Sequence, residues 1–486
     1  MSTISSARTR FGARTLAGVV LASLTLAPAL ADAKAKAKPK HREKPATTTH
    51  TYRFGPIEMD GFEVKRPRDW VRAPKRAGYV TRMTARLVYA SGKAVSIRRV
   101  MLHHVVFLNA GRFRGDKTTS CAGRTGQPFY GTGEERERLI LPNGYGYPVR
   151  ANDRWYMQTM LMSHSLATER VYVQYRFTYV TGRAMTPVTP YWIRANGCTT
   201  EPSYDVQGGG APGSTHLKTY NWRVPFSGRI VAAGSHMHGA AKAVALSQPA
   251  CGGRDVLLSK PLYGYTNDPV YHVFPVLHEP GPISTTWFES HDGIPITQGE
   301  TLQITGAYDA EFPHPRVMAI LHIYVAHAPP PVAPCDPLPA YREFFLRAGG
   351  RTDPPHTVVP LTALGAGGTL QTILSPPGPV TMLNGSTNVA VRDFAYDKPN
   401  LSVPAGATVT WRFYDGQEHN VLLADGPRNV ASPLLRRGAL YAKKFEVPGT
   451  YRLFCMLHPV TMHEVVDVRP PPQPAATASS TDTPPA

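Results

Sequence analysis

No helical heptad and no short-period repeat runs through this sequence, which excludes coiled coils and repeat arrays. Past the N-terminus no segment is long and apolar enough to span a bilayer as a helix. Acidic residues are scarce beside basic ones: 34 Asp and Glu face 53 Lys and Arg, a formal net charge of +19. No nucleic-acid motif accompanies that excess, so it points to anionic cell-wall or lipid polymers as partners rather than to nucleic acid. Cysteine is also sparse. Five residues, Cys121, Cys198, Cys251, Cys335 and Cys455, permit at most two disulfides with one thiol left over.

What is abundant sets the fold class. Proline (47) and glycine (42) punctuate short alternating runs such as "RLVYASGK" and "RVYVQYRFTYV", a pattern of strands and turns. At 42% hydrophobic residues the chain is globular, and 486 residues imply two or three domains. Arg8, Arg10 and Arg14 precede the apolar "LAGVVLASLTLAPAL" and the small-residue pattern Ala29-Leu30-Ala31, which predicts a signal peptide over 1–31 and a secreted, periplasmic or cell-wall location. A basic Lys/Ala/Pro tail at 32–50 has no apolar face to bury and is expected to be disordered; it is the segment suited to anionic wall polymers. Two β-rich regions follow at 51–203 and 204–335, then an irregular linker at 336–385, a third β-rich region at 386–469 and a disordered tail at 470–486.

In an oxidising compartment the four cysteines other than Cys455 are expected to pair. Three pairings are possible and the sequence does not choose; Cys198 with Cys335 would clamp the ends of the second region, leaving Cys121 with Cys251.

The stretch "YRLFCMLHPVTM" gives Cys455 its own role. Cys455, His458 and Met462 fall within eight residues at the end of an apolar run, and His419 stands upstream in "GQEHNV". A thiolate, two imidazoles and a weak thioether are the ligands of a blue copper site. A buried cysteine, a loop histidine and a core methionine arriving together by chance is the bland alternative. The motifs "EHNV" and "FCMLHPVTM" resemble the cupredoxins of the plastocyanin and pseudoazurin type, which implies a Greek-key β-sandwich with a type 1 copper over about 386–469. His463 beside Met462 departs from the pattern.

Further histidines lie upstream: His103 and His104 in "VMLHHVVFL", His164 in "TMLMSHSL", His236 and His238 in "AAGSHMHGAA", and Met318 in "PRVMAILHIYV". In a strand His236 and His238 share a face, a ready two-imidazole chelate. Adjacent His103 and His104 point opposite ways unless the backbone bends between them. The order resembles the copper type II, ascorbate-dependent monooxygenases, the family of peptidylglycine alpha-hydroxylating and dopamine beta-monooxygenases, over about 55–330. The resemblance implies two jelly-roll-like β-sandwiches, one copper on His103, His104 and His164, a second on His236, His238 and Met318, and a C–H hydroxylation that consumes oxygen and a reductant. It does not carry over a substrate, small molecule or peptide. His272, His278, His291 and His322 also lie in the second region; His322 shares a strand face with Met318 and reads as a core residue, with a competing ligand as the alternative. The whole is expected to be all-β: two jelly-roll-like sandwiches followed by a cupredoxin sandwich, acting as an exported copper monooxygenase. The alternative is a non-catalytic copper protein for electron transfer, delivery or storage.

Overall fold

The protein is described by a computed structural model over residues 45–110, 126–199, 201–327 and 335–471. The expected signal peptide, residues 32–44 of the basic tail, Cys121 and nearly all of the C-terminal tail lie outside the described residues.

The described residues are nearly all strand, with no α-helix among them. The physical reason is visible in strands such as Glu169–Thr181, where Val171, Val173, Tyr175, Phe177 and Tyr179 point inward at every second position. Two cores result. One gathers Val105, Phe107, Phe129, Trp155 and Phe177; the other gathers Tyr191, Ile230, Leu246, Ile304 and Ile323. An 11-stranded sheet passes through both regions. Strand Thr186–Arg194 belongs to the first region by sequence, yet pairs antiparallel with Ala319–Ala326 of the second. The expected boundary at 203/204 is therefore bridged by backbone pairing.

Two further expectations need correcting. The Thr-rich end of the basic tail is a strand: Ala46–Met59 pairs with Glu169–Thr181 from Ala46 onward. The supposed linker is likewise built into the fold. Arg342–Phe345 adds to the edge of Ser284–Ile296, Leu361–Leu364 and Leu370–Ile373 form a hairpin, and Thr381–Met382 pairs with Asn400–Pro404. Its apolar residues Val359 and Leu361 share a core with Leu422, Phe454 and Val465, so burial holds down what composition marks as loose.

The observed disulfide joins Cys251 to Cys335 rather than Cys198 to Cys335. Cys335 returns to the turn Pro249–Cys251, where the Arg254 guanidinium donates to its carbonyl and to that of Asp336. Cys198 is also disulfide-bonded, and Cys455 is a buried free thiol.

The C-terminal region is a sandwich of a five-stranded and a four-stranded sheet around Val391, Trp411, Phe445, Leu453 and Val466. It sits against the preceding sandwiches. Arg66 pairs with Glu418, Arg428 donates to the Gly208 carbonyl, and the Asn429 backbone N–H donates to the Gln207 carbonyl.

Candidate metal centres

Strand Gly449–Phe454 ends immediately before Cys455, and Met462 immediately precedes strand His463–Arg469. The loop between them is closed by its own backbone: His458 N donates to Cys455 O at 3.0 Å, Met462 N to His458 O at 3.0 Å, and Cys455 N to Met462 O at 3.1 Å. His419 comes from a separate loop, exchanging two backbone hydrogen bonds with Leu435. Buried Asn420 ties the two loops together, its Oδ1 accepting from Met456 N at 2.9 Å.

The donor atoms of His419, Cys455 and His458 all lie within 4.8 Å of one another. His419 Nε2 faces the Asp415 carboxylate at 2.9 Å, an interaction that takes the ring proton and leaves Nδ1 bare. That Nδ1 stands 3.2 Å from Nδ1 of His458, which is 3.6 Å from Cys455 Sγ. Two imidazole nitrogens and a sulfur therefore converge, and a single cation between them would satisfy all three. Met462 is fully buried in the same core as Cys455. Burial pushes the Cys455 thiol up, against three backbone N–H groups that pull it down, and burial beside His419 pushes His458 down to about 4. Both directions describe the metal-free site: an ion reverses the first by taking the thiolate, and suits the second because it needs a neutral ring.

The upstream histidines meet in a cavity of about 470 Å³. Its wall includes His103, His104, His236, His238, His278 and Met318. The bend that adjacent histidines require is present: the pairing of Val100–Asn109 with Trp155–Ser163 shifts register between Leu102 and His104. The two Nδ1 atoms come within 3.1 Å. His236 and His238 lie on one side as their spacing predicts, ring centroids 5.2 Å apart. Met237 pairs with Ala319, which brings His238 level with Met318, and the Tyr308 hydroxyl links the His238 N–H to the Met318 carbonyl.

Of the two expected ligand sets, the structure brings every member but His164 into this one cavity. His164 does not line the cavity. Its backbone N–H donates to the Arg99 carbonyl at 3.0 Å. Its Nδ1 faces the Pro275 carbonyl at 2.9 Å instead. His103 lies 5.9 Å, ring to ring, from His238 of the other expected set, and 4.9 Å from His278, which sequence reasoning passed over. Glu134 was also missed; with His103 and His278 it forms the second cluster of donor atoms lying within 4.8 Å of one another among the described residues. No spacing motif marks either residue, since His278 sits in a Pro-rich loop and Glu134 in a turn between strands. His322 is core, as its place in a strand suggested: it is buried and bound to buried Glu137 at 3.1 Å.

Carboxylates behind the cavity set its electrostatics. Burial opposes charge on His236, but Glu135 at 3.3 Å, with Glu137 and Glu134 beyond, holds it above its ordinary value. Burial and the neighbouring rings of His278, His104 and His238 hold His103 well below, so it is a neutral base at physiological pH.

Comparison with known proteins agrees with the first centre. Residues 383–469 match the copper binding proteins of the plastocyanin/azurin family. Amicyanin-alpha of Methylorubrum extorquens is 34% identical over 108 residues, 22% of this chain and 86% of that protein. The chain belongs to the plastocyanin/azurin family. Amicyanin of Paracoccus denitrificans is 32% identical over 95 residues, covering 19% of this chain and 72% of that protein. A solved structure of a mutant amicyanin in its reduced state is 32% identical, covers 18% of this chain and 83% of that one, and has a TM-score of 0.16. Residues 155–328 match a different family, stress up-regulated Nod 19. The cupredoxin assignment thus covers the C-terminal domain and leaves the cavity without one.

Proposed function

We propose that this protein is a copper-binding electron-transfer protein whose cupredoxin domain holds a type 1 copper on His419, Cys455, His458 and Met462. The observation that carries the reading is the convergence of the Cys455 sulfur and two imidazole nitrogens within 4.8 Å, on loops locked together by Asn420. When bound, copper supplies a one-electron couple: soft sulfur favours Cu(I), and imidazole tolerates Cu(II). The chain's own part is to keep that donor set from rearranging. Asp415 fixes the His419 ring, backbone bonds close the Cys455–Met462 loop, and burial keeps water from Cys455. Copper-loaded protein is expected to show an intense thiolate-to-copper absorption toward the red end of the visible spectrum, abolished by Cys455→Ser. A colourless wild type, or colour that survives Cys455→Ser, refutes the reading.

The domain's position supports exchange with the interior. Met456, next to Cys455, packs against the apolar cluster that holds Met101, Met160 and Met162, and Phe454 and Met456 line the histidine cavity. The segment expected to be an irregular linker, 336–385, is itself paired and packed into the fold. A second reading is copper-dependent hydroxylation of a small molecule or peptide, with oxygen and a reductant. It rests on His103, His104, His236, His238 and Met318 lining one cavity. Oxygen uptake matched by hydroxylated product tests it; reduced copper-loaded protein that consumes no oxygen leaves electron transfer alone. Export belongs to the same proposal, supported by the N-terminal apolar run and the Cys251–Cys335 disulfide. Cell fractionation checks it.

A further inference from the structure

The cavity wall contains an arrangement that neither the cupredoxin assignment nor the order of histidines anticipates. His278 Nδ1 lies 2.8 Å from the Glu279 carbonyl oxygen. A carbonyl cannot donate, so Nδ1 carries a proton, which leaves Nε2 as the ring nitrogen available to a metal. That Nε2 faces the Glu134 carboxylate at 3.3 Å and the Met101 thioether sulfur at 3.1 Å. A ring nitrogen, a carboxylate oxygen and a soft sulfur thus converge on one spot. The His103 ring stands 4.9 Å from that of His278, and donor atoms of His103, Glu134 and His278 all lie within 4.8 Å of one another. His238, the next ring, has its Nε2 buried without a hydrogen-bond partner.

We propose that His103, Glu134 and His278 form a metal site for a divalent first-row transition ion, with His238 as the nearest further donor. The elements hold the ligands as a metal site requires. The bulge at His103 turns that ring into the cavity. Gly281 N donates to the other oxygen of Glu134 at 3.0 Å, fixing the carboxylate between the loop that bears it and the loop that bears His278. The Glu279 carbonyl fixes the His278 tautomer, the outer support that ligating histidines commonly have. Imidazole with carboxylate suits Cu(II), Zn(II), Fe(II) or Ni(II), and Cu(II) is the tightest of these at a site of given geometry. This ligand set replaces the pairing of His103 with His164, and it stands independently of the type 1 reading.

Copper itself is the probe. In the full-length protein, Cys455→Ser combined with His419→Ala removes the cupredoxin centre. Loaded from a chelator-buffered Cu(II) solution and desalted, this variant is expected to retain one copper per chain. Adding His278→Ala is expected to remove it. Adding Glu134→Gln, which keeps size and shape, is expected to weaken binding roughly tenfold or more. His278→Ala with the cupredoxin ligands intact is expected to keep the blue colour, which reports that the chain has folded. If that colour is lost, Glu134→Gln decides. A Cys455→Ser, His419→Ala protein that holds no copper overturns the site and leaves His278 and Glu134 as an ordinary ion pair. Copper retained at full affinity in the Glu134→Gln variant overturns it equally. Neither result bears on the colour of the wild type, so failure here is distinct from failure of the type 1 reading.

Discussion

The two donor clusters of this protein are built in opposite ways. In the cupredoxin domain one loop of eight residues carries Cys455, His458 and Met462, and a single distant residue, His419, completes the set. In the cavity the donors come from five separated segments: His103 and His104, Glu134, His236 and His238, His278, and Met318. The first set survives any error in tertiary reasoning, because chain connectivity already holds three ligands together. The second exists only through the pairing of strands and the packing of one long loop. Short-range ligand spacing is therefore legible in a sequence, and ligand order over two hundred residues is not.

The comparison can be broken at several points, from the largest effect to the smallest. The Cys251–Cys335 disulfide closes a loop with a sequence separation of 84 in the region that bears His236, His238 and His278. Chain-entropy reasoning gives it about 4.5 kcal/mol. Replacing both cysteines with alanine is expected to lower the stability of the histidine region by an amount of that order, seen as an earlier denaturant midpoint. An unchanged midpoint would mean that strand pairing alone holds the cavity together. Asn420→Ala removes a fully buried partner of Met456 N and is expected to cost about 1–3 kcal/mol. The cost should fall on the cupredoxin domain, broadening the blue band or lowering copper affinity there, while copper in the cavity is unaffected. Equal loss at both places would show that the centres are not structurally separable.

A pH effect is smaller. His314 lies buried between Glu279 at 2.8 Å and Asp309 at 3.5 Å. Burial opposes its charge, but the two carboxylates win and raise it above its ordinary value. A raised folded value means the native state binds the proton more tightly than the unfolded chain. The stabilisation is full below about pH 6.5 and fades as pH rises through the folded value. Denaturation of metal-free protein at a series of pH values should show that decline, and His314→Gln should flatten it. The smallest expected effect is none: His164→Ala should leave the copper content unchanged, as His164 does not line the cavity. Loss of a full equivalent of copper would restore the ligand grouping that the resemblance to the monooxygenases implies.

Particular residues show where sequence reasoning reached its limit. The all-β class was legible from alternation, as in Val171, Val173, Tyr175 and Phe177, because period-two burial is a local property. The shared face of His236 and His238 was legible for the same reason. The need for a backbone bend at His103 could be stated, but not the bulge that supplies it, because a bulge depends on the partner strand. His278 and Glu134 carry no spacing signal, so only the folded chain reveals them. The segment 336–385 looked loose by its Gly and Pro content, yet Val359 and Leu361 were apolar residues awaiting a core that lies in another domain. Threonines at 47–49 have strand propensity that the neighbouring Lys/Ala run obscured.

The central claim is that the cupredoxin domain passes single electrons through a copper on His419, Cys455, His458 and Met462. A stepwise reductive titration of copper-loaded protein, followed at the thiolate-to-copper band, tests it most directly. The account predicts that the band bleaches with one electron per cupredoxin copper and returns in full on reoxidation, because the donor set is held fixed through the change. A band that never forms, fails to bleach, or does not return would contradict it.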